Sequence, residues 1–258
     1  MKRTNTIGLV LSGGGYRGIA HIGVLKAMKE LGIKPDYISG TSAGAIVGSL
    51  YAAGHSSDKI FDFFSNTELF TYHNYTLKKP GLIDGSKIEN ILKTYFKEDS
   101  FEALKTPMYI ATTDLVHAKT RYFNSGPIIK PIIASSSVPG VFSPVVFNDF
   151  LLCDGGVTNN FPVEPLLITC DKIIGVFLNS LLETSKEKLT STKSVLERAY
   201  KITRVNASEN KFKSCDVFIA PKELGKHEIF SKTHAKEIFE MGYQEAKLQL
   251  TAFYKNSK

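Results

Sequence analysis

A chain of 258 residues with 43% hydrophobic content is long enough to bury a sizeable core, and no linker divides it, so residues 1–258 read as a single domain. Its 32 basic and 25 acidic residues give a net charge of +7, and residues 181–258 alone hold 15 basic against 10 acidic. Without arginines interleaved with aromatics, this balance gives nucleic-acid binding no support. It suits either peripheral contact with an anionic membrane or lysines on solvated helix faces.

Lys2 and Arg3 precede only the apolar run IGLVL, which Ser12 and three glycines end; the run is too short for a signal peptide or a membrane span. Cys153, Cys170 and Cys215 are odd in number, lie beside apolar residues and lack metal-ligand spacing, which suits buried thiols in a reducing compartment. A cytoplasmic protein is expected, with membrane contact at most peripheral.

Residues 6–11 (TIGLVL) predict a buried strand that ends at glycines, and Ala20, Val24, Ala27, Met28 and Leu31 then repeat at helical spacing until Gly32. Pro35 and Asp36 form a turn, Tyr37 to Ser39 a second short strand, and Ala43 to Ala53 a second helix ended by Gly54. The aromatic-rich stretch 57–75 suits an acyl pocket, a mobile flap, or packing into the core or a subunit contact. Further strands are expected at 108–115, 150–153, 172–179 and 216–220, and helices at 86–96, 192–212 and 230–253. On the last helix Ile238, Phe239, Gly242, Ala246 and Leu250 share a face, which suits an ordinary surface helix or weak membrane attachment. Strands alternating with helices indicate an α/β fold around a mostly parallel sheet.

The first loop, SGGGYRG, spells G-x-G-x-x-G at Gly13, Gly15 and Gly18, the fingerprint of a nucleotide (NAD)-binding Rossmann-type module. Such a site needs an acidic residue at the far end of the second strand. Asp36 precedes that strand and so lies at the wrong end of the sheet. The far end carries instead Gly40-Thr41-Ser42-Ala43-Gly44, a G-x-S-x-G nucleophile elbow that lifts the Ser42 hydroxyl above the sheet at a helix N-terminus. In parallel strands the two loops share one rim, so the bare amides around Gly13, Gly14 and Gly15 suit an acyl oxyanion. Arg17 adds positive charge there or is simply solvated.

Ser42 needs a base. His227 and His234 come in the chain order of an α/β-hydrolase, but they lie in a polar segment. Asp154, at the end of the run FLLC and succeeded by Gly155 and Gly156, is the stronger candidate. Partial burial raises a carboxyl pKa, and a direct hydrogen bond to the serine suffices for proton transfer. Alone, Asp-Gly-Gly is also a common turn.

Together SGGGYRG, GTSAG (40–44), DGG (154–156), the preceding ASSSVPGVFSP (134–144), GLIDGSKI (81–88) and ATTDL (111–115) resemble the patatin-like phospholipase family over about residues 6–180. The resemblance implies a three-layer α/β sandwich, with residues 181–258 completing the fold. It also implies Ser42 as nucleophile and Asp154 as its base in a dyad without histidine, oxyanion amides from Gly14 and Gly15 with Arg17 assisting, and no metal or other cofactor. The implied substrates are phospholipids, lysophospholipids or acylglycerols. Acyl transfer to an alcohol, a homodimer and the mode of membrane recruitment stay open.

Overall fold

The computed structural model describes residues 5–67, 86–229 and 231–255. Strand β1 (Ile7–Leu11) pairs in parallel with β2 (Tyr37–Thr41) on one side and β7 (Lys172–Val176) on the other. Beyond these, β3 (Met108–Asp114) and β8 (Val217–Ile219) extend the parallel set. Three antiparallel strands complete a mixed sheet: β4 (Lys119–Phe123), β5 (Val145–Phe147) and β6 (Phe150–Asp154). The order is β5-β6-β3-β2-β1-β7-β8, with β4 on β3.

The pairing of β3 brings two distant parts of the chain together. Ile110 pairs with Phe123 of β4 and with Gly40 of β2, while Thr112 pairs with Arg121 of β4 and with Asp154 of β6. Since β4 occupies one edge throughout, β2 and β6 succeed one another along the other edge. Thr41 opposes Ala111 and Asp154 opposes the next residue, Thr112.

Helices cover both faces, giving three layers. Along β1 the side chains alternate between them, as the pleat requires: Leu9 and Leu11 enter the larger core, Val10 the smaller. The larger core is built with α1 (Ile19–Glu30), α2 (Ala43–Ala52), α3 (Ser57–Asn66), α4 (Ser86–Tyr95), α5 (Ile129–Ser135) and α8 (Ala235–Lys255). The smaller core takes Leu166 of α6 (Glu164–Leu167) and Val205 of α7 (Thr192–Phe212), with a cluster of Phe161, Phe177, Phe212 and Phe218 rings. Helix α8 lies close along α1. A side chain at Gly23 would collide with the Phe239 carbonyl, and one at Gly242 with the Ala20 carbonyl. The apolar face of α8, with Ile238, Ala246 and Leu250 buried, is therefore taken up by the core and not by a membrane.

The expected strands and helices form, with ends shifted by a few residues, the largest shift being at the start of α8. The run FLLC is a strand, but an antiparallel one. Helices α5 and α6 and strands β4 and β5 were not expected. Pro131 in IKPIIAS disguises α5, although at its third residue the missing N–H is one that no helical carbonyl needs. Strand β4 (KTRYF) is too polar to read as apolar, and β5 has only three residues. Of the aromatic stretch, Ile60, Phe63 and Phe64 are buried in α3, as core packing expects; residues 68–75 and the GLIDG of 81–85 lie outside the described residues.

Candidate active site

Ser42 sits between β2 and α2 with φ 54° and ψ −120°, a conformation costing a non-glycine residue on the order of 1–3 kcal/mol. The surroundings enforce it. The Ser42 amide donates to Ser135 Oγ (2.8 Å), and the Ser135 hydroxyl donates to the Ala111 carbonyl (2.6 Å). The Thr41 hydroxyl donates to the Asn159 carbonyl (2.9 Å). The bend leaves no room for side chains at its flanks: one at Gly44 would strike the Leu11 carbonyl, and one at Gly40 would lie 2.5 Å from the Gly44 oxygen.

Asp154 ends β6 fully buried, while Ser42 is 2% exposed. The Asp154 amide donates to the Ser137 carbonyl (2.9 Å), and its Oδ1 accepts from the Gly156 amide (2.6 Å). Oδ2 is buried and accepts no hydrogen bond of sound geometry among the described residues. Even so, the Ser42 side chain is near enough to stabilise the ionised carboxyl. Burial pushes the Asp154 pKa up from the usual carboxylate range, against the opposing pull of Arg204, Ser42 and the Gly156 amide. The ASSS segment, given no role in the sequence reading beyond its place before the motif, thus ties both residues: Ser135 holds the Ser42 backbone and Ser137 that of Asp154.

The glycine-rich loop lies against them. A side chain on Gly13 would come within 3.1 Å of Ser42 Cβ. Gly13 is fixed at both polar atoms, its amide donating to the Asn160 carbonyl (3.2 Å) and its carbonyl accepting from Asn179 Nδ2 (2.6 Å). Among the described residues the amides of Gly14 and Gly15 have no acceptor. Upstream, His21 Nε2 lies 2.8 Å from the Ser12 carbonyl, so the ring carries its proton on Nε2; burial lowers its pKa to about 4 and keeps it neutral.

Arg17 is 1% exposed and does not reach toward solvent. Its guanidinium donates to the carbonyls of His227 (2.9 Å from Nε), Gly225 (3.3 Å) and Leu178 (3.4 Å). Burial, followed by the Arg204 charge, lowers its pKa to about 10, and it stays charged at neutral pH. With its donors on main-chain carbonyls, Arg17 fastens the glycine-rich loop to residues 225–227.

The sequence reading missed Arg204. From α7 its Nη2 stands 4.0 Å from Asp154 Oδ1, donates to Asn160 Oδ1, and lies where side chains on Gly13 or Gly156 would be. Tyr200, one turn earlier, places its ring 5.0 Å from the Arg204 guanidinium. Among the described residues Arg204 Nε, Asn160 Nδ2 and the Tyr200 hydroxyl are buried without hydrogen-bond partners, as is Asp154 Oδ2. Buried polar groups are seldom left so, and three of these atoms are donors on Arg204 or on the side chains around it. A helical arginine in a lysine-rich segment carries no motif, so no sequence signal singles it out.

The other residues under consideration lie elsewhere. Asp36 accepts from the Ile7 amide (2.9 Å) at the N-terminal end of β1, opposite the glycine-rich loop. Asp114 of ATTDL caps the β3–β4 turn, accepting from the amides of Val116 and His117 and from Arg121 Nε (2.7 Å). His227 and His234 face Glu237 at 3.7 and 3.2 Å. Among the described residues no helix is long and apolar enough to cross a membrane.

Comparison with known proteins agrees with this architecture. An NTE family protein of Mycobacterium tuberculosis is 33% identical over 176 residues, covering 67% of this chain and 49% of its own. The human patatin-like phospholipase domain-containing protein 6 is 33% identical over 168 residues, 62% of this chain and 12% of that one. The chain thus spans about half the length of the mycobacterial relative and far less of the human one. In fold, VipD from Legionella pneumophila matches with a TM-score of 0.66 at 14% identity, over 96% of this chain and 67% of its own. ExoU of Pseudomonas aeruginosa, seen in complex with SpcU, matches at 0.54 and 14% identity, over 98% of this chain and 53% of its own. The model of the patatin-like phospholipase family matches residues 9–167, more than half of the sequence, and this chain belongs to that family.

Proposed function

We propose that this chain hydrolyses acyl esters of lipids, with Ser42 as nucleophile and Asp154 as general base. The observation that carries the reading is a fully buried carboxylate whose Oδ2 lacks a hydrogen bond among the described residues, beside a serine held in a strained elbow. Asp154 takes the Ser42 proton as the serine oxygen attacks the ester carbonyl. The amides of Gly14 and Gly15 receive the oxyanion, an arrangement whose single donors are worth about 3–4 kcal/mol of transition-state stabilisation. Collapse expels the alcohol, which takes the proton from Asp154, and leaves an acyl-enzyme. Water, deprotonated by the same carboxylate, then attacks that ester and releases the fatty acid and free Ser42.

Phospholipids, lysophospholipids and acylglycerols are the substrate candidates. The unpartnered donors of Arg204, Asn160 and Tyr200 favour a polar or anionic group beside the ester. Labelling with a fluorophosphonate probe tests the reading: wild type reacts and Ser42→Ala does not. Equal labelling of both, or none of wild type, removes it.

A further inference from the structure

The loop that carries the carbonyls held by Arg17 ends in a cluster that the proposed chemistry does not use. Among the described residues His227 Nε2 is buried without a hydrogen bond, and the side chain as a whole is 9% exposed. It lies 3.7 Å from Glu237 Oε1, too far to donate to it, while His234 Nδ1 lies 3.2 Å from Glu237 Oε2 and the two imidazole centroids are 5.1 Å apart. One donor atom from each of the three residues falls within 4.8 Å of the others. Nitrogen and oxygen ligands of one tetrahedral ion, at 2.0–2.1 Å from it, stand about 3.3 Å apart. Small side-chain rotations close the difference.

We propose that His227, His234 and Glu237 form a binding site for a divalent transition metal of the zinc class. Two imidazoles and one carboxylate suit zinc better than magnesium or calcium, which take oxygen ligands. Metal binding requires neutral imidazole, so the site fills at neutral pH and empties in acid. Residue 227 belongs to the connection after β8, and Glu237 to the first turn of α8. An ion here joins the two. The same connection accepts Arg17 Nε at the His227 carbonyl and the Tyr16 amide at the Ile229 carbonyl (2.8 Å), so the ion braces the support of the glycine-rich loop. The site is apart from Ser42 and Asp154 and does not depend on the proposed hydrolysis.

The test uses the untagged full chain, stripped with chelator and titrated with ZnCl2, with MgCl2 and CaCl2 as controls. Zinc binds at one ion per chain and raises Tm. Co2+ in its place gives the visible bands of a tetrahedral site, which zinc abolishes. His234→Ala and Glu237→Gln change half-exposed side chains, keep the metal-free Tm, and lose both responses. In wild type, zinc slows amide hydrogen exchange at Gly14–Arg17. The proposal is overturned by the absence of saturable zinc binding, by equal stabilisation with magnesium or calcium, by variants that bind zinc as wild type does, or by unchanged exchange in that loop.

Discussion

Residues 9–167 and the segment after 180 contribute to one site in different ways. The first part holds every recognisable motif and supplies the groups proposed to react: Ser42, Asp154 and the amides of Gly14 and Gly15. The second holds no motif, yet it sends Arg204 against Asp154, sets Tyr200 beside the Arg204 guanidinium and offers the carbonyls of Gly225 and His227 that Arg17 grips. Reacting atoms demand particular residues at particular spacings, whereas bracing demands only a guanidinium or a carbonyl in the right place. Chemistry therefore leaves a pattern in sequence and support does not.

The sharpest way to break this division is Asp154→Asn. Hydrolysis should fall on the order of 10²–10⁴-fold, while Tm holds or rises. The sign comes from the raised pKa of the folded carboxyl. Its stabilising contribution is present below the unfolded value of 3.8 and is lost as pH rises through the folded one, so at neutral pH the buried charge costs stability that asparagine does not. Thermal melts at pH 7 and at pH 4 check it: the margin of the variant over wild type narrows in acid. A collapse of Tm in Asp154→Asn would make the residue a structural keystone instead.

Arg17→Met joins the two regions in one experiment. It leaves three carbonyls without their donor and should cost about 2–3 kcal/mol in urea unfolding, with lower activity from a looser glycine-rich loop. Arg204→Ala should act through the pH profile. Removing the neighbouring positive charge raises the Asp154 pKa, so the acidic limb of kcat/KM moves to higher pH, and Arg204→Lys restores part of the shift. An unmoved limb would reduce Arg204 to packing. Smallest, Ser135→Ala removes the acceptor of the Ser42 amide and should cost about 1–2 kcal/mol, with a fall in kcat larger than any change in KM.

The fold was legible wherever a strand or helix buried a continuous apolar face, as in β1, α1, α2 and β7, because burial writes its period into the sequence. It was not legible where an element is short, polar or interrupted, as in β4, β5 and α5. The direction of β6 was hidden as well, since FLLC reads alike in either orientation. At the site, Ser42, Asp154 and the glycines stood out as residues that few alternatives can replace in a tight bend. Arg204 was invisible, and Arg17 was visible with its partners unknown, because both depend on contacts between residues far apart in the chain.

Strand β3 carries the partners of both Thr41 and Asp154 on consecutive residues of one edge. The gap between hydroxyl and carboxylate is accordingly a property of the pleat and belongs to no hinge. A bulky substrate has to be accommodated by the surrounding loops, and heat should silence the proposed hydrolysis only at the temperature where the sheet itself comes apart.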